Sequence, residues 1–119
     1  MRTTARYTQR YAALFGSLGH EVRLAIVRGL LASHPTGRVA GDLQAELRIP
    51  GSTLSHHLEA LLSQGLIEQQ REGRFLRYRA STNTLRELLD FLYAECCAPA
   101  GLVPAIGRGA GTAAVPLYD

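Results

Sequence analysis

The fold is decided by residues 51–80, GSTLSHHLEALLSQGLIEQQREGRFLRYRA, where a helical pattern and a strand pattern follow each other without a gap. Leucines recur at helical spacing and form one apolar stripe, at Leu54, Leu58, Leu61 and Leu62. Polar residues occupy the opposite face, at Ser52, Thr53, His56, Glu59 and Ser63. The pattern predicts a helix that packs on one side and can read DNA on the other.

A basic hairpin is predicted directly after this helix. Gly65 is placed to close the helix in a left-handed turn, and an extended run then alternates up to a turn at Glu72-Gly73. Glycine accepts the positive φ that such a turn demands, and the return strand spans residues 75–80. The hairpin carries four arginines against one glutamate, a net +3 from four minus one, at Arg71, Arg74, Arg77 and Arg79. The sequence thus predicts a wing that contacts phosphate.

Two helices are predicted before this stretch, over residues 5–18 and about 20–32, with Gly19 at the break. The second helix carries a predicted apolar stripe at Leu24, Val27 and Leu31, with Ile26 and Leu30 beside it. Turn chemistry at residues 34–37 ends this helix.

A third short helix is predicted over residues 39–47, and Pro50-Gly51 then bends the chain. Ser52 is expected to cap the next helix, because its hydroxyl can accept a free backbone N–H. Together these elements predict a helix-turn-helix.

A last helix is predicted over residues 84–97, with apolar positions at Leu85, Leu88, Leu89, Leu92 and Tyr93. Its broad apolar face needs a partner, so the first and last helices are expected to build a two-fold dimer interface. Residues 98–119 are rich in Gly, Ala and Pro and are expected to form a flexible tail. The predicted organisation is one domain over residues 1–97 followed by this tail.

The composition excludes some classes of protein. The net charge is +3, and all 13 basic residues are arginine, which fits either fork-shaped phosphate contacts or GC-rich coding. No apolar run approaches the roughly 20 residues of a membrane span, and no secretion signal is apparent, so a cytoplasmic protein is expected. The only cysteines are adjacent and cannot form a disulfide framework. No nucleophile-base motif, phosphate-binding glycine loop or acid pair indicates an enzyme.

With this order of elements, the chain resembles the ArsR-type family of small winged-helix repressors over about residues 14–97. The resemblance rests on LGHEVRLAIVRGLL at 18–31, STLSHHLEALLSQGLI at 52–67 and REGRFLRYR at 71–79. It implies an α+β, mainly α, winged helix-turn-helix: four helices, a two-stranded wing and a C-terminal helix, in a homodimer. Such a homodimer binds a palindromic operator in double-stranded DNA until an inducer releases it.

The resemblance also assigns DNA contacts. It places Ser52, Thr53, Ser55 and His56 toward the major groove, and Arg71, Arg74 and Arg77 near the DNA backbone or minor groove. Adjacent His56 and His57 do not indicate a metal site, because successive helical positions point about 100° apart. His57 lies at the edge of the apolar stripe, where it either packs or contacts phosphate.

The family's metal sites are absent or altered in this chain. Where many relatives have the third-helix box CVCDL, this chain has VAGDL with Val39 and Gly41, and its last helix has no His, so zinc is not expected and no cofactor is required. ECCAP at residues 95–99 resembles the terminal-helix cysteine pair of an arsenic-sensing branch. Cys96 and Cys97 are soft thiol ligands suited to trivalent arsenic or antimony, and Pro99 disfavours continued helix at Ala98.

The cysteine pair leaves alternatives open. That branch usually has a third cysteine, which is missing here, so water, a small thiol or another side chain completes the site, or a methylated arsenical needs only two sulfurs. A thiol redox or sulfide response competes with the metalloid reading, although the helix C-terminus disfavours thiolate. The broader alternative is a winged-helix module that binds proteins.

Overall fold

A computed structural model describes the backbone of residues 5–97 and the side chains of residues 6–94. Within this range the elements are α1 Ala5–Leu18, α2 Glu21–Ala32, β1 Arg38–Val39, α3 Ala40–Leu47, α4 Gly51–Ser63, β2 Ile67–Glu72, β3 Phe75–Ala80 and α5 Thr82–Cys97. The predicted winged helix-turn-helix is confirmed, because α3 and α4 are the helix pair and β2 and β3 are the wing. The predicted tail over residues 98–119 lies outside the described residues.

The described part of the chain divides into two compact units, one ending at Leu85 and the other beginning at Arg86. The first unit contains α1 to β3 and the first turn of α5. Its core draws on every helix from α1 to α4 and on the sheet, at Leu14, Ile26, Val27, Leu30, Leu43, Leu54, Leu58, Leu61, Leu66, Ile67, Tyr78 and Ala80. None of the described helices is both long and apolar enough to cross a membrane.

The buried face of α2 differs from the predicted one. Leu24 is 47% exposed and Leu31 is 43% exposed, so two of the three positions in the predicted stripe are wrong. The buried side chains are Ile26, Val27 and Leu30. Apolar residues occupy most of the circumference of α2, and its contacts with α1, α4 and β3 decide which of them are buried.

The starts of α3 and α4 also differ from the prediction. Pro50 has extended backbone and its carbonyl accepts the N–H of Leu54 at 3.0 Å, so Pro50 caps α4 and Ser52 lies within the first turn. Val39 pairs with Arg77 in a third strand that the sequence did not indicate. This pairing delays the start of α3 by one residue and makes the sheet three-stranded, in the order β1-β3-β2.

The end of α4 is closed as predicted. Gly65 has a φ of 77°, and its N–H donates to the carbonyl of Leu62 at 3.0 Å. The N–H of Leu66 donates to the carbonyl of Leu61, also at 3.0 Å. These paired bonds form a Schellman motif, which favours glycine at the left-handed position. The chain thus turns sharply from α4 into the wing.

The wing is an antiparallel hairpin whose tip pair is Glu72 with Phe75. The turn is therefore Gly73-Arg74, one residue later than predicted, and the φ of 62° at Gly73 is the positive value that a hairpin turn needs at that position. The alternation predicted for β2 is wrong, because Ile67 is its only buried residue. Beyond its base, the hairpin leaves the core.

Candidate nucleic-acid interface

The outer face of α4 is polar and exposed. Its exposed residues are Ser52, Thr53, Ser55, His56, Glu59 and Ser63. On the inner face, Leu54, Leu58 and Leu61 are no more than 3% exposed. The predicted division of the helix into a packed face and an accessible face is confirmed. Hydroxyl and imidazole groups on the accessible face can exchange hydrogen bonds with base edges or phosphates.

The beginning of α4 has open hydrogen-bond donors. Pro50 provides no side-chain acceptor, and no side-chain hydrogen bond caps the helix. The first backbone N–H groups of a helix lack intrahelical partners and carry partial positive charge. In a helix-turn-helix, this end of the second helix faces the nucleic acid.

The turn between α3 and α4 contains an arginine that the sequence reasoning missed. Arg48 is the C-cap of α3, in left-handed backbone with φ 56° and ψ 48°, and its N–H donates to the carbonyl of Gln44 at 2.8 Å. Its side chain is exposed. The sequence did contain a signal for this residue. A basic side chain follows Leu47, the last residue of α3, in the short turn that leads to α4.

His57 lies on the inner side of α4 and links it to α2. Its side chain is 7% exposed, and its Nδ1 accepts a hydrogen bond from Nε of Arg23 at 3.0 Å. The His57 ring lies 4.6 Å from that of His20 and 5.7 Å from that of His56, measured between centroids. Of the two roles expected for His57, this buried position fits packing, and the phosphate contact stays a prediction.

The surroundings of His57 disfavour its protonated form. Burial holds the pKa of His57 below its ordinary value of 6.5, and the neighbouring His20, Arg23 and His56 lower it further. The hydrogen bond from Arg23 requires that Nδ1 carries no proton. This contact and the lowered pKa therefore both indicate a neutral imidazole.

The four wing arginines fall into two pairs. Arg71 and Arg74 are exposed near the tip of the hairpin, where a phosphate can reach them. Arg77 and Arg79 are half-buried. The guanidinium of Arg77 pairs with Glu72 at 2.9 Å, and the DNA contact predicted for Arg77 stays a prediction.

The cysteine pair ends the last helix, since α5 runs through Cys97. The side chains of Cys96 and Cys97 lie outside the described ones, so the predicted metalloid site stays a prediction. Among the residues that the structure describes, no three His, Cys, Asp or Glu residues are grouped so that they could hold a metal ion.

Comparison with known proteins places this architecture among transcription factors. A family described as a helix-turn-helix domain matches residues 18–70. The chain is 33% identical over 88 residues to a biofilm growth-associated repressor from Agrobacterium fabrum, an alignment that covers 74% of this chain and 73% of the repressor.

Solved structures agree with this placement. An ArsR-like transcriptional regulator from Rhodococcus sp. RHA1 superposes with a TM-score of 0.68 at 26% identity, over 92% of this chain and 100% of that one. A homodimeric winged helix-turn-helix DNA-binding domain from Mycobacterium bovis shows the same fold, with a TM-score of 0.63 at 22% identity, over 97% of this chain and 96% of that one.

These relatives are named as regulators and their fold is a DNA-binding one, so the chain is not an enzyme. The sequence, the arrangement of α3, α4 and the wing, and the relatives agree. The chain belongs to the ArsR-type family of winged helix-turn-helix transcriptional regulators.

Proposed function

We propose that this protein is a homodimeric repressor that binds operator DNA through α4 and the wing. The observation that carries the proposal is the exposed polar face of α4, which is followed directly by a hairpin with exposed arginines at its tip. An α-helix fits the major groove, and its side chains can read base edges there.

The roles of the individual residues follow from their chemistry. Ser52, Thr53, Ser55 and His56 read the major groove. Arg71 and Arg74 on the wing contact phosphates, because a guanidinium presents a fork of donors that matches phosphate oxygens. Arg48 lies in the turn before α4 and adds a third phosphate contact.

The dimer is proposed to form through α1 and α5. Tyr7 on α1 is 53% exposed, and on α5 Leu89 is 61% and Leu92 is 51% exposed. Large apolar side chains that stay exposed in one copy of a small protein favour association with a second copy. The winged helix-turn-helix domain from M. bovis is described as homodimeric, which supports a dimer of this chain.

The inducer is proposed to be trivalent arsenic or antimony, bound by Cys96 and Cys97 at the end of α5. Soft thiolates favour such ions, and a second sulfur binds at high effective concentration once the first is attached. Binding would reshape the end of α5, change the packing of the two subunits and so change the spacing of the two α4 helices. Oxidation or sulfide addition at the same thiols is the competing inducer chemistry.

Selection of DNA from a random duplex library tests operator binding. We expect enrichment of an inverted repeat whose half-sites lie about one DNA turn, roughly 34 Å, apart. Its affinity, measured by fluorescence polarisation, should fall steeply between about 50 and 200 mM salt. Absence of an enriched site, or affinity that salt does not change, would favour a protein-binding module.

Charge substitution on α5 tests the dimer. Leu89→Glu with Leu92→Glu should give monomers in light scattering and weaken operator binding, since two half-sites no longer share one protein. A matched substitution of the half-exposed Asp90→Lys, which removes no apolar side chain, should leave the dimer intact. A double-Glu variant that stays dimeric would contradict the proposed interface.

Parallel titration of the operator complex tests the inducer. Arsenite, methylarsenite or antimonite should release the DNA, whereas zinc should not. Replacing Cys96 and Cys97 by Ser should preserve operator binding and abolish this release. Release by peroxide or sulfide alone would support the competing thiol chemistry, and arsenite release that persists in the Ser variant would exclude the cysteine site.

A further inference from the structure

The guanidinium of Arg79 on β3 donates hydrogen bonds to two separate parts of the protein. Its Nε donates to the carbonyl of Pro35 at 2.9 Å, and its Nη1 donates to Oε1 of Gln70 at 2.7 Å. Pro35 belongs to the turn after α2, and Gln70 belongs to β2. Arg79 therefore joins the outer strand of the wing to a turn on the opposite side of β3.

Arg77 repeats this arrangement two residues earlier on the same face of β3. Its Nε donates to both carboxylate oxygens of Glu72, at 3.0 and 2.9 Å, and its Nη1 donates to the carbonyl of Thr36 at 3.4 Å. Its side chain is only 25% exposed. Arg77 and Arg79 thus donate hydrogen bonds to two successive backbone carbonyls of the turn after α2, those of Thr36 and Pro35.

The backbone of this turn lies tightly against β3, which is independent evidence of the same junction. Gly37 has a φ of 79°, and a Cβ placed there would lie 2.1 Å from the carbonyl oxygen of Tyr78 and 2.9 Å from Cγ of Arg79. Only glycine fits between the turn and the strand.

Arg71 and Arg74 make contacts of a different kind. Nη1 of Arg71 donates to the carbonyl of Gly73 at 3.2 Å, and the guanidinium of Arg74 lies 5.9 Å from the centre of the Phe75 ring. These contacts stay within the hairpin tip. Both side chains are exposed and can turn toward a phosphate.

We propose that Arg77 and Arg79 are positioning residues, which lock the wing to the turn at residues 35–37 and leave DNA contact to Arg71 and Arg74. The inference rests on the proposed DNA-binding function. Within β2 only Ile67 is buried, and on β3 burial extends no farther toward the tip than Tyr78, so apolar packing holds only the inner half of the wing. The bridges from Arg77 and Arg79 reach Glu72 and Gln70 in the exposed part of β2, where they restrict the movement of the wing and reduce the entropy lost when its tip meets DNA.

Salt dependence separates phosphate contact from positioning. Each phosphate contact contributes about −0.9 to the slope of log affinity against log salt. Each substitution removes one such contact from each subunit of the dimer, so Arg71→Ala and Arg74→Ala should each make the slope shallower by about 1.8. Arg79→Ala should weaken binding of the selected duplex about tenfold, the effect of one or two lost hydrogen bonds, with no comparable change in slope.

Arg79→Lys supplies the decisive comparison, because it keeps the positive charge and removes the planar guanidinium with its several N–H donors. Lysine cannot reach the Pro35 carbonyl and Gln70 at once, so the positioning role predicts the same loss as in Arg79→Ala. A phosphate contact predicts affinity close to wild type. Arg79 is preferred to Arg77 for this test because its partners, the Pro35 carbonyl and Gln70, are uncharged. Substitution of Arg77 would instead leave the Glu72 carboxylate without its ion pair.

A double-mutant cycle tests the link to β2. Gln70→Ala and Arg79→Ala should be non-additive in operator affinity, since each breaks the same bridge. Should Arg79→Ala fail to fold in thermal unfolding, the lysine variant and Gln70→Ala carry the same comparison. A slope change in Arg79→Ala equal to that in Arg71→Ala, or full affinity in Arg79→Lys, would overturn the positioning role while leaving DNA binding intact. Wild-type protein without salt-dependent DNA binding would instead refute the proposed function.

Discussion

The recognition helix and the wing adjoin each other in the chain but are held in place by different forces. The inner face of α4 is anchored by Leu54, Leu58 and Leu61, each no more than 3% exposed. In β2, by contrast, Ile67 alone is buried. The helix is oriented by apolar burial and the outer part of the wing by hydrogen bonds. Substitutions on the inner face of α4 should therefore change stability, whereas substitutions in the outer wing should change its position with less effect on stability.

The largest expected effect comes from Leu61→Ala in α4. Leu61 is 0% exposed, and removal of such a buried leucine side chain costs about 2–5 kcal/mol in the free energy of unfolding. Urea unfolding followed by circular dichroism measures this loss. Phe75→Ala at the wing tip is the matched control, because Phe75 is 55% exposed. It should change stability by about 0.5 kcal/mol or less, and an equal loss in both variants would contradict the comparison.

A smaller effect is expected at the base of the wing, from Gly37→Ala. Alanine must adopt left-handed backbone there and also displace the Tyr78 carbonyl, which would lie 2.1 Å from its Cβ. Strain and overpacking together cost about 2–4 kcal/mol. Gly73→Ala has a similar φ of 62° with nothing within 4 Å of the added Cβ, so it should cost only about 1 kcal/mol. Equal losses in urea unfolding would show that the contact between the turn and β3 carries little energy.

The two regions also differ in how far the sequence could predict them. The exposed face of α4 follows from helical periodicity, which depends only on neighbours along the chain. The inward direction of Arg77 and Arg79 depends on carbonyls at Thr36 and Pro35, which precede them by 41 and 44 residues. A charge count over the hairpin contains no information about such partners, so it could not distinguish Arg77 and Arg79 from Arg71 and Arg74.

The same distinction between local preferences and contacts across the fold explains the remaining differences between the prediction and the structure. The short strand β1 exists because residues 38 and 39 meet β3, which again is a contact across the fold. The buried face of α2 is chosen by α1, α4 and β3 among several apolar faces. The ends of α1, the closure of α4 at Gly65 and the span of β3 depend on local backbone preferences, and these were predicted correctly.

The smallest expected effect on stability at neutral pH concerns His57, a buried residue of α4 that also accepts a hydrogen bond from Arg23 of α2. Its pKa in the folded protein is held below the ordinary value of 6.5, first by burial and then by His20, Arg23 and His56. As the pH falls below 6.5, the unfolded chain therefore binds a proton before the folded protein does. The stability that neutral His57 contributes is complete above about pH 6.5 and is lost as the pH falls through its folded-state pKa.

Urea unfolding at about pH 7.5 and about pH 5.5 measures this loss, because the two values bracket the titration of an ordinary histidine. His57→Gln removes the titrating group but keeps an amide oxygen that can accept the Nε–H of Arg23, so its stability should depend less on pH than that of the wild type. His56→Gln is the matched control on the exposed face and should retain most of the wild-type dependence. If His57→Gln lost as much stability as the wild type on acidification, another group would be responsible. A reduced dependence in His57→Gln alone would show that the recognition helix also relies on a polar contact, and that this contact requires a neutral imidazole.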